Sequence, residues 1–512
     1  MRIGIDVGGT NTDAVLMDGR TVLGAAKTPT SPNVTDGIVN ALRRLIEQTK
    51  LQPSDITAVM LGTTHFTNAV VERRHLSPTA AIRLALPATE ALPPMTDWPA
   101  DLREALGNHC YLVHGGYEFD GRTIAPIDAA EIRGAAGRIR DLGIKAVAIS
   151  CVFSPLNAEQ EQQAAAIVRE VIPDANITLS TAIGRIGLLE RENAAIINAC
   201  LAEVAKRTVA GFEAALHRMQ ITAPFYLSQN DGTLMNAGFA QEYPVLTFAS
   251  GPTNSMRGAA FLSGLKEALV IDVGGTTSDV GMLQKGFPRV ASQAVNIGGV
   301  RTNFRMPDVY SFGLGGGSIV RTDPLKVGPQ SVGYEITTKA LVFGGDTLTT
   351  TDVVVAGGHQ DIGDRARVSH ISRDTVDQVL SRIEDMVNIA VDRMKTSAAA
   401  IPVIAVGGGS ILIVRPVGGA SEIVTPQHFA AANAIGAAIA QVGGEVDRIF
   451  TLGALTREAA LEQAKTEAIG NAVAAGAEAK TVEVVDVEEV PLAYLPGNAV
   501  RIAVKAVGDL AI

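Results

Sequence analysis

The sequence has little of what marks secreted, membrane-spanning or nucleic-acid-binding proteins. Its 512 residues include three cysteines, Cys110, Cys151 and Cys200, which are widely spaced and form no CxxC pair. This usage favours buried free thiols in a cytoplasmic protein over a disulfide framework or a thiolate metal site. No run of eighteen apolar residues predicts a membrane span, and the N-terminus enters a strand at once, so no signal peptide is expected. A net charge of −10 argues against nucleic acid as the main partner.

Glycine is in excess, with 52 residues, about 10% against a usual ~7%. The excess indicates many tight loops. A hydrophobic content of 47% with 19% charged residues is typical of a compact globular chain. The length predicts two or three domains.

One stretch occurs twice: residues 5–13 read IDVGGTNTD and residues 271–279 read IDVGGTTSD. Apolar residues on both sides of each copy predict a strand, a tight turn and a second strand. Glycine N–H groups at such a turn can approach a phosphate, and Asp6 and Asp272 at the strand ends can hold Mg²⁺ directly or through water. A simple glycine hairpin would explain one copy, but two near-copies indicate two related lobes that grip one nucleotide.

Polar turns also follow other predicted strands, where α/β sheets place ligand contacts. Residues 62–69 (GTTHFTNA) open a helix, residues 228–232 read SQNDG, and residues 407–409 are a triple glycine that could pass under a purine ring. For the first turn, a capped helix with a surface histidine is the alternative interpretation. The candidate ligand contacts from these turns are His65, Asn68, Asn230 and Asp231.

Two further segments carry structural expectations. Small and apolar residues on several faces of residues 190–216 predict one long helix buried between the lobes. The glycines at 315–317 do not fit a dinucleotide fingerprint, because Ser318 falls where its third glycine would be. We expect them to allow close approach of two backbone segments or of a substrate.

The order of these features resembles that of the actin-like ATPase superfamily. Within it, the sequence resembles the hydantoinase/oxoprolinase family, specifically its ATP-binding A-type subunit. The segments that carry the resemblance are IDVGGTNTDAVLMDG (5–19), GTTHFTNAVVER (62–73), FSPLNAEQE (153–161), LLERENAAIINACL (188–201), SGPTNSMRGAA (250–260), IDVGGTTSDVG (271–281), GLGGGSIVRTD (313–323) and VPLAYLPGNAVRI (490–502).

The resemblance implies an α/β fold with two lobes, each like ribonuclease H, and ATP in the cleft between them. It implies an N-terminal lobe over 1–185, a second lobe over 186–425, and C-terminal helices and strands over 426–512 that pack back on the lobes. The implied activity is the ATP- and Mg²⁺-dependent opening of a cyclic amide, through phosphorylation of the carbonyl oxygen and attack of water. A B-type partner subunit and an oligomeric assembly are also expected.

The family's site residues carry over by position. Asp6 matches the carboxylate that positions Mg²⁺, and Asp272 matches one that holds water bound to the metal or acts as a base. The residues that match the two phosphate loops and the adenosine turn are Gly8, Gly9, Thr10, Asn11, Thr12, Asp13, Gly274, Gly275, Thr276, Thr277, Gly407, Gly408 and Gly409. The substrate-side candidates are His65, Asn68, Asn230, Asp308 and Tyr310.

The sequence departs from the family pattern at Asp308-Val309-Tyr310, where many members have Asp-x-His, and at Asn11, where Phe is common. It is also shorter than many A-type subunits and contains no B-type segment. Two other functions stay open. A small-molecule kinase would use a carboxylate such as Asp231 as its base, and a regulatory ATP-binding protein would turn ATP over slowly. A carboxylase subunit is a variant of the first hypothesis.

Overall fold

The computed structural model describes residues 1–8, 11–29, 34–184, 186–291, 294–303, 306–452, 455–493 and 498–511. The strands within these ranges are β1 (Arg2–Val7), β2 (Asn11–Asp18), β3 (Thr21–Pro29), β4 (Ala58–Thr63), β5 (Thr79–Leu86), β6 (His109–His114), β7 (Ala146–Cys151), β8 (Asn176–Leu179), β9 (Phe225–Ser228), β10 (Thr233–Asn236), β11 (Ala268–Val273), β12 (Ser278–Gln284), β13 (Phe287–Pro288), β14 (Val295–Ile297), β15 (Val300–Thr302), β16 (Val309–Phe312), β17 (Ser318–Thr322), β18 (Leu325–Ser331), β19 (Ile401–Val406), β20 (Ala420–Val424), β21 (Gln441–Phe450), β22 (Glu483–Pro491) and β23 (Val500–Gly508). The helices are α1 (Val34–Thr49), α2 (His65–Val71), α3 (Ala100–Leu106), α4 (Ala129–Asp141), α5 (Glu159–Val171), α6 (Leu188–Cys200), α7 (Ala202–Arg218), α8 (Ala237–Glu242), α9 (Ser250–Ser263), α10 (Ile336–Lys339), α11 (Thr350–Ala356), α12 (Arg373–Met394), α13 (Ala432–Ala438) and α14 (Arg457–Ala474).

Two mixed sheets form the lobes. The first has the order β22-β23-β21-β10-β9-β4-β1-β2-β3, and the second has the order β13-β12-β11-β19-β20 with β16 also paired to β12. In each lobe an antiparallel hairpin, β1–β2 or β11–β12, is followed by a parallel neighbour, β4 or β19. The duplicated α/β lobes expected from the sequence repeat are therefore confirmed.

Burial explains which strands are central. All six residues of β4 are buried, as are five of the six in β1, which suits parallel strands covered on both faces. Helix α1 covers one face of the first sheet with Ile38, Leu42 and Leu45. Helix α13 lies on the other face of the first sheet. It packs against α9, and α9 packs on the second sheet.

The helices between the sheets cross closely because glycine faces backbone. A methyl group built on Gly258 would lie 1.9 Å from the carbonyl oxygen of Ala432, and one on Gly436 would lie 1.8 Å from that of Asn254. Any side chain at either glycine would push the two helices apart. These contacts fix how the two lobes meet.

The long helix expected over 190–216 is two helices, α6 and α7, that meet at Leu201. α6 packs on the strands of a separate parallel sheet, β6-β5-β7-β8, and α7 packs on α1. The helices between the lobes are α9 and α13, so the expectation for 190–216 is wrong on both continuity and position. Its small residues instead serve close packing inside the N-terminal part of the molecule.

The expected domain boundaries do not match the sheet that each strand joins in two places. β9 and β10 follow the expected boundary at residue 185 but continue the first sheet, and β21 to β23 of the C-terminal segment extend the same sheet. Among the described residues, no helix combines the length and apolar character that crossing a membrane requires.

Candidate active site

Four aspartates lie at the ends of the two equivalent hairpins. Asp6 and Asp13 are direct partners across β1 and β2, and Asp272 and Asp279 are direct partners across β11 and β12. Because side chains alternate along a strand, each pair projects from one face of its sheet. The same turn closes both hairpins, with the Gly8 N–H donating to the Asn11 carbonyl at 3.0 Å and the Gly274 N–H to the Thr277 carbonyl at 2.9 Å.

The two pairs share one electrostatic environment. Burial raises the pKa of Asp6 well above its ordinary value, and the carboxylates of Asp13 and Asp272 raise it further. Burial also raises the pKa of Asp13 and of Asp272, against the opposing effect of Lys27. The pKa of Asp279 rises to about 6, mainly by burial and also through the charge of Asp272. The cluster therefore has a surplus of negative charge that a bound cation would relieve.

Lys27 supplies positive charge to this cluster. It is the direct partner of Asp13 across β2 and β3, and its Nζ lies 3.2 Å from the Asp13 carboxylate. A methyl group built on Gly408, in the second lobe, would be 3.7 Å from the same Nζ. Lys27 thus reaches from the first sheet to the glycine turn at residues 407–409 in the second lobe. Its side chain remains 42% exposed.

The second phosphate turn is packed between two glycine loops. Gly407 has a φ of +83°, and a Cβ there would lie 2.1 Å from the Asp272 Oδ1, so only glycine fits. On the other side a Cβ at Gly315 would lie 2.5 Å from the backbone of Gly275, and the Gly317 N–H donates to the Gly275 carbonyl at 2.8 Å. The expectation that residues 315–317 permit close backbone approach is confirmed.

Helix α9 places two consecutive polar residues, Asn254 and Ser255, at the carboxylate cluster. Ser255 donates to the Asp272 carboxylate at 2.5 Å. Asn254 is fully buried beside Gly62, where a built methyl group would lie 2.7 Å from the Asn254 Nδ2 and 3.1 Å from the Asp6 Oδ1. Neither the nitrogen nor the oxygen of this amide has a hydrogen-bond partner.

The structure brings together only part of the predicted set. The residues at the two hairpin ends and the packed glycine turn are Asp6, Gly8, Asn11, Asp13, Asp272, Gly274, Gly275, Thr276, Thr277, Gly407, Gly408 and Gly409. Gly9 and Thr10 lie outside the described residues. Thr12 pairs with Val7 on the opposite face of the hairpin from Asp6 and is fully buried, so its hydroxyl does not point toward the carboxylates.

The predicted substrate-side residues lie in three separate places. His65 and Asn68 are at the start of α2, and burial, His75 and Arg207 lower the pKa of His65. Asp308 forms an ion pair with Arg289 at 2.6 Å. The remaining two substrate-side candidates are Asn230, which is buried against α9, and Tyr310, whose ring lies under Arg393.

Asp231 has partners that occupy its carboxylate. Lys505 lies 2.9 Å from it, and both the N–H and the hydroxyl of Thr233 donate to it. Burial raises the pKa of Asp231, but Lys505 and Thr233 outweigh burial and the pKa is lowered. These contacts suit a structural ion pair that ties β23 to the end of β9.

Sequence reasoning missed Lys27, Asp279, Ser255 and Ser311. Asp279 had a signal, because it repeats Asp13 in the second copy of the motif. Ser311 had no such signal: it faces Asp279 across β12 and β16 and donates to it, on the opposite strand face from Tyr310, and this depends on strand pairing. Lys27 and Ser255 depend on β3 pairing and on the packing of α9, which the sequence pattern does not specify.

The donor set fits Mg²⁺ bound with a nucleotide. Among the residues described, no three His, Cys, Asp or Glu side chains are placed to hold an ion by themselves. Mg²⁺ usually keeps several waters and binds through one or two carboxylates together with substrate phosphates. Oxygen-only ligands and carboxylates whose pKa is raised match this mode of binding, with Asp6 and Asp272 as the residues that would hold the ion.

Comparisons with known proteins agree with this geometry. Residues 2–172 match the hydantoinase/oxoprolinase N-terminal region, and residues 191–364 match the hydantoinase/oxoprolinase family. The chain is 28% identical to the caprolactamase subunit alpha of Pseudomonas jessenii over 77% of this chain and 60% of that one. It is 26% identical to the acetophenone carboxylase gamma subunit of Aromatoleum aromaticum over 70% of this chain and 53% of that one.

A solved structure supports the fold. The ATP-dependent caprolactamase from Pseudomonas jessenii superposes with a TM-score of 0.80 at 21% identity, over 100% of this chain and 88% of that one. The chain nevertheless spans only about 60% of the length of the first curated relative it matches. Together, the duplicated carboxylate hairpins and the two family matches show that this chain belongs to the hydantoinase/oxoprolinase family.

Proposed function

We propose that this chain is the ATP-binding subunit of an ATP-dependent amidohydrolase that phosphorylates and opens a cyclic amide. The observation that carries the proposal is the cluster of two aspartate pairs, one from each lobe, around Lys27. Such a cluster suits a hydrated Mg²⁺ and a chain of phosphates between two glycine turns. The likeness to a protein named caprolactamase supports a lactam as the substrate.

Each part of the cluster has a role in this proposal. The N–H groups of the glycine turns would bind phosphate oxygens, and Lys27 would neutralise part of their charge. Bound Mg²⁺ would stabilise the negative charge on the transferred phosphoryl group. Asp6 and Asp272 would hold the ion, and Asp272 would also be available to accept a proton.

The reaction balances as three steps. The amide carbonyl oxygen bonds to the γ-phosphorus while the bond from that phosphorus to the oxygen of the leaving ADP breaks, and the amide nitrogen loses its proton. Water then attacks the activated carbon, and the carbon–nitrogen bond breaks as the nitrogen takes up a proton, which leaves an acyl phosphate. A second water attacks the same carbon, and the carbon–oxygen bond to phosphate breaks. The cyclic amide, ATP and two water molecules give an open-chain amino acid, ADP and phosphate.

A partner subunit belongs to this proposal. Two relatives are named as subunits, an alpha subunit and a gamma subunit, and this chain covers 60% and 53% of their lengths. We propose a B-type subunit that completes hydrolysis, in an oligomeric assembly. The three cysteines are all unpaired, which suits the reducing cytoplasm as its location.

The test is ADP release with Mg-ATP, with and without a panel of hydantoins, 5-oxoproline and simple lactams. It should be run on the purified chain and on the assembly purified from its native source. We expect several-fold stimulation by one class of cyclic amide. ATP turnover that no cyclic amide changes in either preparation would overturn the proposal.

A further inference from the structure

Buried polar groups without partners lie along the seam between α9 and the end of β9. They belong to three side chains, Ser228, Asn230 and Asn254, which are 1%, 3% and 0% exposed. The Ser228 hydroxyl, the Asn230 Nδ2 and both polar atoms of the Asn254 amide make no hydrogen bond. We call this set the amide seam. Such groups cost free energy in a folded protein, so they indicate a ligand or ordered water that completes them.

The topology connects the amide seam to the carboxylate cluster. β1, β4 and β9 are parallel neighbours, with Asp6 opposite Gly62 and Leu61 opposite Leu227. Continuing this register places Ser228 beside Gly62, on the same sheet face as Asp6 and about 10 Å from it. Gly62 has no side chain, and a methyl group built there would meet both the Asn254 amide and the Asp6 carboxylate.

The other end of the seam opens into two cavities. Thr253 on α9 donates to the Asn230 carbonyl at 2.8 Å, which holds the end of β9 under the helix. Asn230 and Asp231 line both a cavity of about 630 Å³ and one of about 650 Å³. These volumes lie in the range of small-molecule sites. The Asn230 end of the seam therefore borders space for a small molecule.

The unpartnered atoms match an amide. Asn254 offers one donor and one acceptor on the same edge of its carboxamide, and Asn230 offers a further donor. A small ring holds its amide in the cis form, so the N–H and C=O of a lactam or hydantoin also lie on one edge. A linear secondary amide is trans by preference, and its N–H and C=O lie on opposite edges. The Asn254 carboxamide can thus form two parallel hydrogen bonds with a cyclic amide but not with a linear one.

We infer that the amide seam is the substrate subsite, in which Asn254 pairs with the cis-amide edge of a cyclic substrate and Asn230 donates to a second substrate oxygen. This inference rests on the proposed function and names the residues that would recognise its substrate. It assigns the cyclic-amide preference to one carboxamide on α9.

The test combines substrate binding with stability. For wild type, N254A and N230A, binding of a cyclic amide and of its N-methyl derivative is measured by calorimetry with a non-hydrolysable ATP analogue present. We expect wild type to bind the N–H form about tenfold or more tightly than the N-methyl form. N254A should bind the N–H form about tenfold more weakly, discriminate little between the two forms, and keep its affinity for the nucleotide.

Thermal unfolding without ligand supplies the second readout. N254A removes no hydrogen bond, so its Tm should equal or exceed that of wild type. The matched control is N198A, because Asn198 is 2% exposed but fully engaged, with its Nδ2 donating to Thr178 at 3.0 Å and to the Glu242 carbonyl at 2.8 Å. N198A should lower Tm and leave cyclic-amide affinity unchanged.

The outcomes separate two failures. Wild type that binds no cyclic amide, in the chain or in the native assembly, would overturn the proposed function itself. Wild type that binds a cyclic amide with an affinity that neither N254A nor N230A changes would overturn only this inference. A loss of nucleotide affinity in N254A without loss of cyclic-amide affinity would also overturn it, because Asn254 would then belong to the phosphate site.

Discussion

Replacing Asp279 by asparagine tests the electrostatics of the carboxylate cluster without ligand. The pKa of Asp279 is about 6 in the folded protein against an ordinary 3.8, mainly because of burial. Between these values the folded chain binds a proton that the unfolded chain has lost, so the free energy of unfolding falls as pH rises from about 4 to about 6. The difference between the two pKa values corresponds to up to about 3 kcal/mol of stability. The protein has this stability near pH 4 and has lost it above pH 6.

D279N is neutral at every pH and should remove this penalty. Its free energy of unfolding at pH 8 should exceed that of wild type by up to about 3 kcal/mol, and the two should converge near pH 4. Denaturant unfolding at a series of pH values measures both. The control is D392N, because Asp392 is exposed on α12, and it should stay within about 0.5 kcal/mol of wild type. If D279N is no more stable than wild type at pH 8, the conclusion that burying the charged Asp279 carboxylate destabilises the fold is refuted.

Three further variants separate the functional groups. D272N should abolish ATP turnover while circular dichroism and Tm show an intact fold, and unchanged turnover in a folded variant would remove its assigned role. K27M should weaken ATP binding about 10- to 100-fold, with K27R closer to wild type, and calorimetry that finds equal affinities would contradict the phosphate contact. D231N should lower the free energy of unfolding by about 3–5 kcal/mol because Lys505 is left buried without its partner. Loss of turnover in D231N that remains folded at the assay temperature would instead favour the kinase alternative.

The repeat predicted the core of the fold because it encodes local geometry twice. An apolar strand, an aspartate and a glycine turn specify a hairpin, and the second copy implies a second lobe with the same register. The segment 190–216 was predicted wrongly because small apolar residues show that a helix is buried but not against what. The extension of the first sheet by β21 to β23 also depends on long-range pairing that local periodicity does not contain.

The site was predicted where the chemistry lies within one motif. Asp6, Asp13 and Asp272 follow from the hairpins, whereas Lys27 acts through strand pairing and Ser255 through the packing of α9. Asp231 illustrates the opposite situation. A polar turn after a strand suggests a ligand edge, but Lys505, 274 residues further along the chain, occupies that carboxylate. A partner so distant in sequence leaves no local signal.

The most direct test of the central claim follows the oxygen of the substrate amide. A cyclic amide that stimulates ATP turnover is labelled with ¹⁸O at its carbonyl and incubated with Mg-ATP and the assembly purified from its native source. Mass spectrometry of the products then locates the label. Phosphorylation of the carbonyl oxygen followed by attack of both water molecules on carbon predicts ¹⁸O in the released phosphate. Recovery of all the ¹⁸O in the carboxylate of the amino acid would contradict this account.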